Sequence, residues 1–125
     1  MSETTNTPFE ALERVFHEPG RLAIMSALCG AEKKGLTFAE LKEECRLTDG
    51  NLNSHLATLQ ECGAVRLRKE FVDNKPRTTV FLTKSGLDRF TDYLEALQQV
   101  LKAAHAALPA ESRRAFPVGG RPVTA

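Results

Sequence analysis

No apolar run in this 125-residue chain approaches the roughly 18–20 consecutive residues that a membrane span requires, so no transmembrane helix is expected. The amino terminus, MSETTNTPFE, is polar and acidic, the reverse of a secretory signal, and the expectation is a cytoplasmic protein. Cysteine is scarce. Cys29, Cys45 and Cys62 are odd in number and unevenly spaced, which speaks against a disulfide framework and against a CxxC pair. Each stands where a helix would place a small buried residue, so core filler is the reading; a thiol or metal sensor is the lesser alternative. Charge of one sign is not in excess either. A net charge of +1 excludes a histone-like coating protein, yet it permits a local basic patch. Catalytic signatures are missing: the chain has no phosphate-binding glycine loop, no HExxH and no nucleophile elbow. Asp49 and His55 fall on one helix and make no triad. Neither enzyme activity nor a cofactor or bound metal is expected.

What is present fits one globular domain, with 42% hydrophobic and 26% charged residues and enough length to bury a core. Thr7-Pro8-Phe9-Glu10 reads as a helix start, with Thr7 capping, Pro8 at the first helical position and Glu10 completing a capping box. That helix reaches about Phe16, with Phe9, Leu12 and Phe16 along one side. Pro19 forces a break or a new start. A second helix from Arg21 to about Gly30 turns Leu22, Met25 and Leu28 inward. Thr37-Phe38-Ala39-Glu40 is another capping box and opens a short helix to Cys45.

After a brief connector at Arg46-Leu47, Thr48 caps the next helix, TDGNLNSHLATLQECG. At about 100° per residue, Leu52, Leu56 and Leu59 form a narrow inward stripe. Gly50, Ser54, Ala57 and Thr58 lie on or near the far side, with Asn51 and Asn53 on the flanks. A merely solvated helix shows Glu and Lys outward; this one shows short amides and hydroxyls that let a large partner approach. Two short helices joined in this way form a helix-turn-helix pattern. Gly63 ends the second where a left-handed residue is needed. Ala64 to Arg68 alternates as a strand, Asp73-Asn74-Lys75-Pro76 is a turn cluster, and Thr78 to Leu82 is a second strand. Between Arg66 and Lys84, six basic residues face only two acids, Glu70 and Asp73, so this short hairpin carries more positive charge than the chain's net.

The segments LTFAELKEECRLTDGNLNSHLATLQECGAVRLRKEF and TTVFLTKSG, over Leu36 to Phe71 and Thr78 to Gly86, resemble winged helix-turn-helix transcriptional regulators of the MarR/ArsR type, in their small single-domain branch. The resemblance spans most of residues 20–95 and is most specific from Thr48 to Val65. It implies a mainly α fold with a small β-hairpin, a winged helix-turn-helix with a long C-terminal dimerisation helix. The implied organisation is a flexible N-terminus (1–7), a DNA-binding domain (8–83), a dimerisation helix (84–108) and a flexible tail (109–125). It also implies sequence-specific binding of double-stranded DNA, with the recognition helix in the major groove and the wing on phosphates or in the minor groove. Asn51, Asn53, Ser54 and His55 take recognition-helix positions, and Lys75 and Arg77 lie in the wing. Asn pairs bidentately with adenine, and Ser serves either a base edge or a phosphate. Gly50 clears a side chain at a helix N-terminus, which favours an anion. Thr48 and Thr58 complete the expected contact surface. His55, about 60° from Leu52 on the helical wheel, is expected half-buried, its ring nitrogen held by backbone, or else on a phosphate.

Leu87, Phe90, Leu94, Leu97, Leu101, Ala104 and Leu108 step alternately by three and four, a seam that signals packing against another helix. Its distal part, Leu94 through Leu108, with Phe9, Leu12 and Phe16 as co-packers, points to a two-fold homodimer on a palindromic operator. Two alternatives stand beside this reading. One is a winged helix used as a protein-interaction module, which would suit an acidic recognition face rather than an amide one. The other is an effector- or metal-responsive sensor of the ArsR type, although TFAELKEEC offers only Cys45, without a second thiol at ligand spacing. The resemblance leaves room for a small-molecule effector between dimer helix and reading head. The sequence names no effector, operator, regulated gene or direction of regulation.

Overall fold

The computed structural model describes residues 13–113. They fall into two compact units divided inside one long helix, Glu13–Thr91 and the residues from Asp92 onward. In the first unit, residues 14–18 form turns where the sequence predicts the end of a helix, with the Phe16 and His17 amides donating to the Glu13 carbonyl at 3.1 Å. Helix α1, Pro19–Ala31, starts two residues before the predicted Arg21. Its start is fixed by Glu18, whose carboxylate accepts from the Arg21 amide at 2.9 Å, and Pro19 suits a first position that needs no donor. After a 3-10 turn, the two-residue strand β1 (Leu36–Thr37) precedes α2 (Phe38–Cys45). Thr37 and Glu40 make the predicted capping box in full. Helix α3 is Asp49–Glu61, and Gly63 follows it at φ 82°, as the sequence predicts.

Strands β2 (Val65–Val72) and β3 (Lys75–Leu82) form the hairpin and are longer than the alternation alone predicts. Their turn is Asp73-Asn74, both at positive φ (54° and 64°), the two-residue geometry whose twist matches paired strands. The sheet is antiparallel in the order β1-β3-β2, with Leu36 opposite Val80. β1 escaped the sequence reading because two residues carry no period. Pro76 lies beyond β1's reach, where β3 has no partner on that side and its missing N–H costs no ladder bond. Phe16, Ile24, Met25, Leu28, Leu41, Leu52, Leu56, Leu59, Val65, Val80 and Phe90 are buried as the core of this unit. Phe16 stands edge-on to Phe90, 5.4 Å between ring centroids.

Helix α4, Lys84–Ala107, crosses the division, and α5, Ala110–Arg113, is a single helical turn at the start of the segment expected to be a flexible tail. The predicted seam along α4 divides into two kinds of position. In the first unit Phe90 is buried and Leu87 is more than 40% exposed; in the second Tyr93 and Ala96 are buried and Leu94 and Leu101 are more than 40% exposed. Ala104 is exposed, and Leu97 and Leu108 are half-buried. Phe16, expected at a dimer contact, is fully buried against Phe90 in its own chain and has no surface left for a partner. Phe9 and Leu12 lie outside the described residues. Among the described residues, no helix is long and apolar enough to cross a membrane.

Candidate nucleic-acid interface

Helices α2 and α3 meet through Arg46-Leu47-Thr48. Arg46 takes the left-handed conformation (φ 56°) and its N–H donates to the Lys42 carbonyl, closing α2. Lys42 Nζ also reaches Asp49 Oδ1 at 2.9 Å, joining the two helices across the turn. Thr48 is extended, and its hydroxyl accepts from the Asn51 amide at 3.1 Å. Its oxygen thus serves the helix, while the residue stays exposed. Leu52, Leu56 and Leu59 point into the core as predicted.

Gly50, Asn51, Asn53 and Ser54 are all exposed, and the three polar side chains bond to no other described residue. A Cβ on Gly50 would meet only open space, so nothing inside the chain demands a glycine there. Thr58 is half-buried and its hydroxyl donates back to the Ser54 carbonyl at 3.3 Å, a common local bond within helices.

His55 is half-buried, as the sequence predicts, but its ring is held by other groups than the backbone. Its side chain is 17% exposed and turned toward α1, where Nδ1 lies 3.2 Å from Arg21 NH1 and Nε2 lies 3.5 Å from Glu18 Oε1. A guanidinium only donates, so Nδ1 accepts and the proton of the neutral ring sits on Nε2, facing the carboxylate. The ring lies so close over Gly20 that a Cβ there would stand 2.6 Å from Nε2. Side chains, not backbone, hold this ring, which joins α3 to Arg21 of α1 and to Glu18 just before it. Arg21 is fixed in turn by Nε donating to the Val15 carbonyl at 2.7 Å. Glu18 is held below the usual carboxylate range, chiefly by the Arg21 amide it accepts from; His55 and the Gly20 amide add to this, and burial opposes it.

The other end of α3 is tied as well. Arg89 on α4 donates from NH1 to the Cys62 carbonyl at 2.8 Å and from NH2 to Glu13 Oε1 at 2.9 Å. Its guanidinium also lies 5.5 Å above the Phe16 ring. The helix bearing the amide face is thus braced at its middle and at its end.

Beside it, Lys75 and Arg77 are exposed on the outer part of β3. A groove of about 890 Å³ runs between the start of α2, Asn53 and this part of the hairpin, lined by Glu40, Asn53, Lys75, Pro76 and Arg77 among others. The structure therefore brings Asn53 and both predicted wing cations to one groove. Sequence reasoning missed a further feature of the hairpin: Arg66 and Arg68 stack on Phe81, with 4.4 and 4.9 Å from guanidinium carbon to ring centroid. The register pairs Arg66 with Phe81, which a one-strand pattern cannot reveal. Among the described residues, no three His, Cys, Asp or Glu side chains gather in a metal-sized cluster. Burial pushes the Cys29 and Cys45 thiols up, aided at Cys45 by Glu44, so both stay protonated near neutral pH.

A family model described as a winged helix DNA-binding domain matches residues 21–101. The chain belongs to this family. An uncharacterised protein of Methanocaldococcus jannaschii is 35% identical over 89 residues, covering 71% of this chain and 95% of its own length. Among solved winged helices, a transcriptional regulator homologue from Pyrococcus horikoshii OT3 superposes with a TM-score of 0.69 at 30% identity, over 77% of this chain and 94% of its own. A MarR-family transcriptional regulator from Silicibacter pomeroyi shares the fold at 18% identity (TM-score 0.56; 88% of this chain and 72% of its own). In winged-helix terms, α2 and α3 are the helix-turn-helix and β2–β3 is the wing.

Proposed function

We propose that this winged-helix protein is a transcriptional regulator of the MarR type that binds double-stranded DNA as a two-fold homodimer. In this reading, α3 enters the major groove while Lys75 and Arg77 contact the phosphate backbone or the minor groove. One observation carries it: Asn51, Asn53 and Ser54 are exposed and unbonded across the outer side of α3, and Asn53 lines a groove that Lys75 and Arg77 also line. Amides and hydroxyls left free on a braced helix are the groups that read base edges, and cations beside them fix the register on phosphates. Gly50, open on all sides, allows the helix N-terminus to approach a phosphate closely. His55 and Thr48 support the reading from behind, by orienting and capping the helix.

Fluorescence polarisation of labelled duplex tests it. Random duplex at low salt is bound, and affinity falls steeply as salt rises. Asn51→Ala with Asn53→Ala abolishes discrimination among duplexes selected from a random pool while leaving random-duplex affinity largely intact. Arg77→Ala weakens binding to every duplex and lowers the salt slope by about one. No salt-sensitive binding by the unaltered protein overturns the proposal and favours a protein-interaction module.

A further inference from the structure

Phe71 is 76% exposed, more than any other large hydrophobic side chain among the described residues. It sits near the tip of the wing on β2, directly opposite Pro76 on β3. Alternation puts Val65, Leu67, Lys69 and Phe71 on one face of β2, with Leu82, Val80, Thr78 and Pro76 across from them. At its inner end this face is core, since Val65 and Val80 are buried. At its outer end it leaves the body of the domain and carries only Lys69, Thr78, Phe71 and Pro76. The hairpin's acids are elsewhere: Glu70 is on the opposite face, 3.6 Å from Arg68 and in register with Arg77, and Asp73 is in the turn. The Phe71 face therefore offers an apolar pair beside a cation, with no carboxylate.

A phenyl ring left in water forgoes the free energy of burial, and no described neighbour covers this one. The tight Asp73-Asn74 turn and eight paired positions keep the hairpin from folding the ring back. A protein interface or a lipid surface needs several adjacent apolar side chains, whereas the tip supplies one ring backed by one proline. A single ring on a two-stranded tip suits a slot, and the minor groove of DNA is a slot about 6 Å wide with anionic walls.

Resting on the DNA-binding reading above, we infer that Phe71, backed by Pro76, is an apolar wedge that enters the minor groove beneath the wing and partly unstacks a base step, with Lys69 on a flanking phosphate. Such a wedge bends the duplex and selects for steps that unstack easily, pyrimidine–purine steps above all. The wing then contributes specificity through deformability, at positions α3 does not touch.

The chain contains no tryptophan, so Phe71→Trp places a single indole at the tip of the full-length protein. Duplex binding is followed in parallel by polarisation, and bending by energy transfer between end labels. The expected results are quenching of the indole on adding duplex and, for Phe71→Ala, roughly tenfold weaker binding with an unchanged salt slope. The Ala variant also bends the duplex less and loses its preference for a TA step over a GC step under the wing. Three outcomes overturn the wedge: Phe71→Ala that binds and bends DNA as the parent does, indole emission indifferent to bound duplex, or an indole that responds to anionic vesicles and not to duplex. A parent protein that binds no duplex overturns the DNA reading itself, whereas a parent that binds while Phe71 is silent overturns the wedge alone.

Discussion

Among single residues, the cluster of Glu18, Arg21 and His55 decides where α3 can sit. Glu18 does two jobs there, capping α1 through the Arg21 amide and facing the His55 ring. Because its folded pKa lies below the unfolded value, it adds stability at pH above the ordinary carboxylate value of about 4.3, and that stability is lost as pH falls through the folded pKa. Glu18→Gln keeps an acceptor for Arg21 but cannot titrate. Thermal melts should therefore show the parent more stable than Glu18→Gln at neutral pH, with the gap closing below about pH 4. A gap that is constant across pH would show that the charge contributes nothing. The outward residues were legible in the sequence because a helical wheel alone exposes Asn51, Asn53 and Ser54. The fate of His55 was not legible: its partner Arg21 is 34 residues away, and no local pattern reports a contact at that separation.

Taken element by element, α4 is anchored to the start of β2 by unusually close backbone packing. The Thr83 hydroxyl donates to the Gly63 carbonyl at 2.6 Å and accepts from the Gly86 amide at 2.8 Å. Gly86 itself rests on the Ala64 carbonyl, so that an added Cβ would collide with backbone rather than with a side chain that could move. Gly86→Ala should therefore destabilise the protein by about 2 kcal/mol or more despite its better helix propensity, as read by denaturant unfolding. An unchanged midpoint would mean that α4 can lift away freely. The Thr37–Glu40 capping box, the Thr48 cap, the turn residues and the strand alternation made α2, α3 and the hairpin readable, because each is specified by neighbours in sequence. What failed depended on distance: β1 exists only because β3 lies beside it, and α1 begins at Pro19 because Glu18 caps it from outside the helix. At the predicted end of the first helix, residues 14–18 form turns that seat Phe16 on Phe90, a contact between residues 74 positions apart, while residues 8–12 of that helix lie outside the described residues.

On the scale of the whole molecule, α4 leaves Leu94 and Leu101, two turns apart, exposed on the Asp92–Ala107 part of the helix. The proposed homodimer gives these side chains a partner, and a strip repeating every seven residues is what a second helix covers. Leu94→Asp with Leu101→Asp should convert the protein to a monomer by sedimentation at micromolar concentration, weaken operator binding severely, and leave the winged-helix unit folded by circular dichroism. A parent protein that already sediments as a monomer would remove the basis for a palindromic operator. The seven-residue strip was half visible in the sequence. Its period was clear, but spacing could not tell which leucines the chain itself would cover.

The bare outer face of α3 has a consequence for how proteins built like this one diversify. Asn51, Asn53 and Ser54 touch nothing else among the described residues, while the residues that fix the helix, Thr48, Leu52, His55, Leu56 and Leu59, all point elsewhere. If α3 reads DNA as proposed, duplicated copies of such a chain can exchange the three free side chains one at a time and acquire different targets while the interior stays the same.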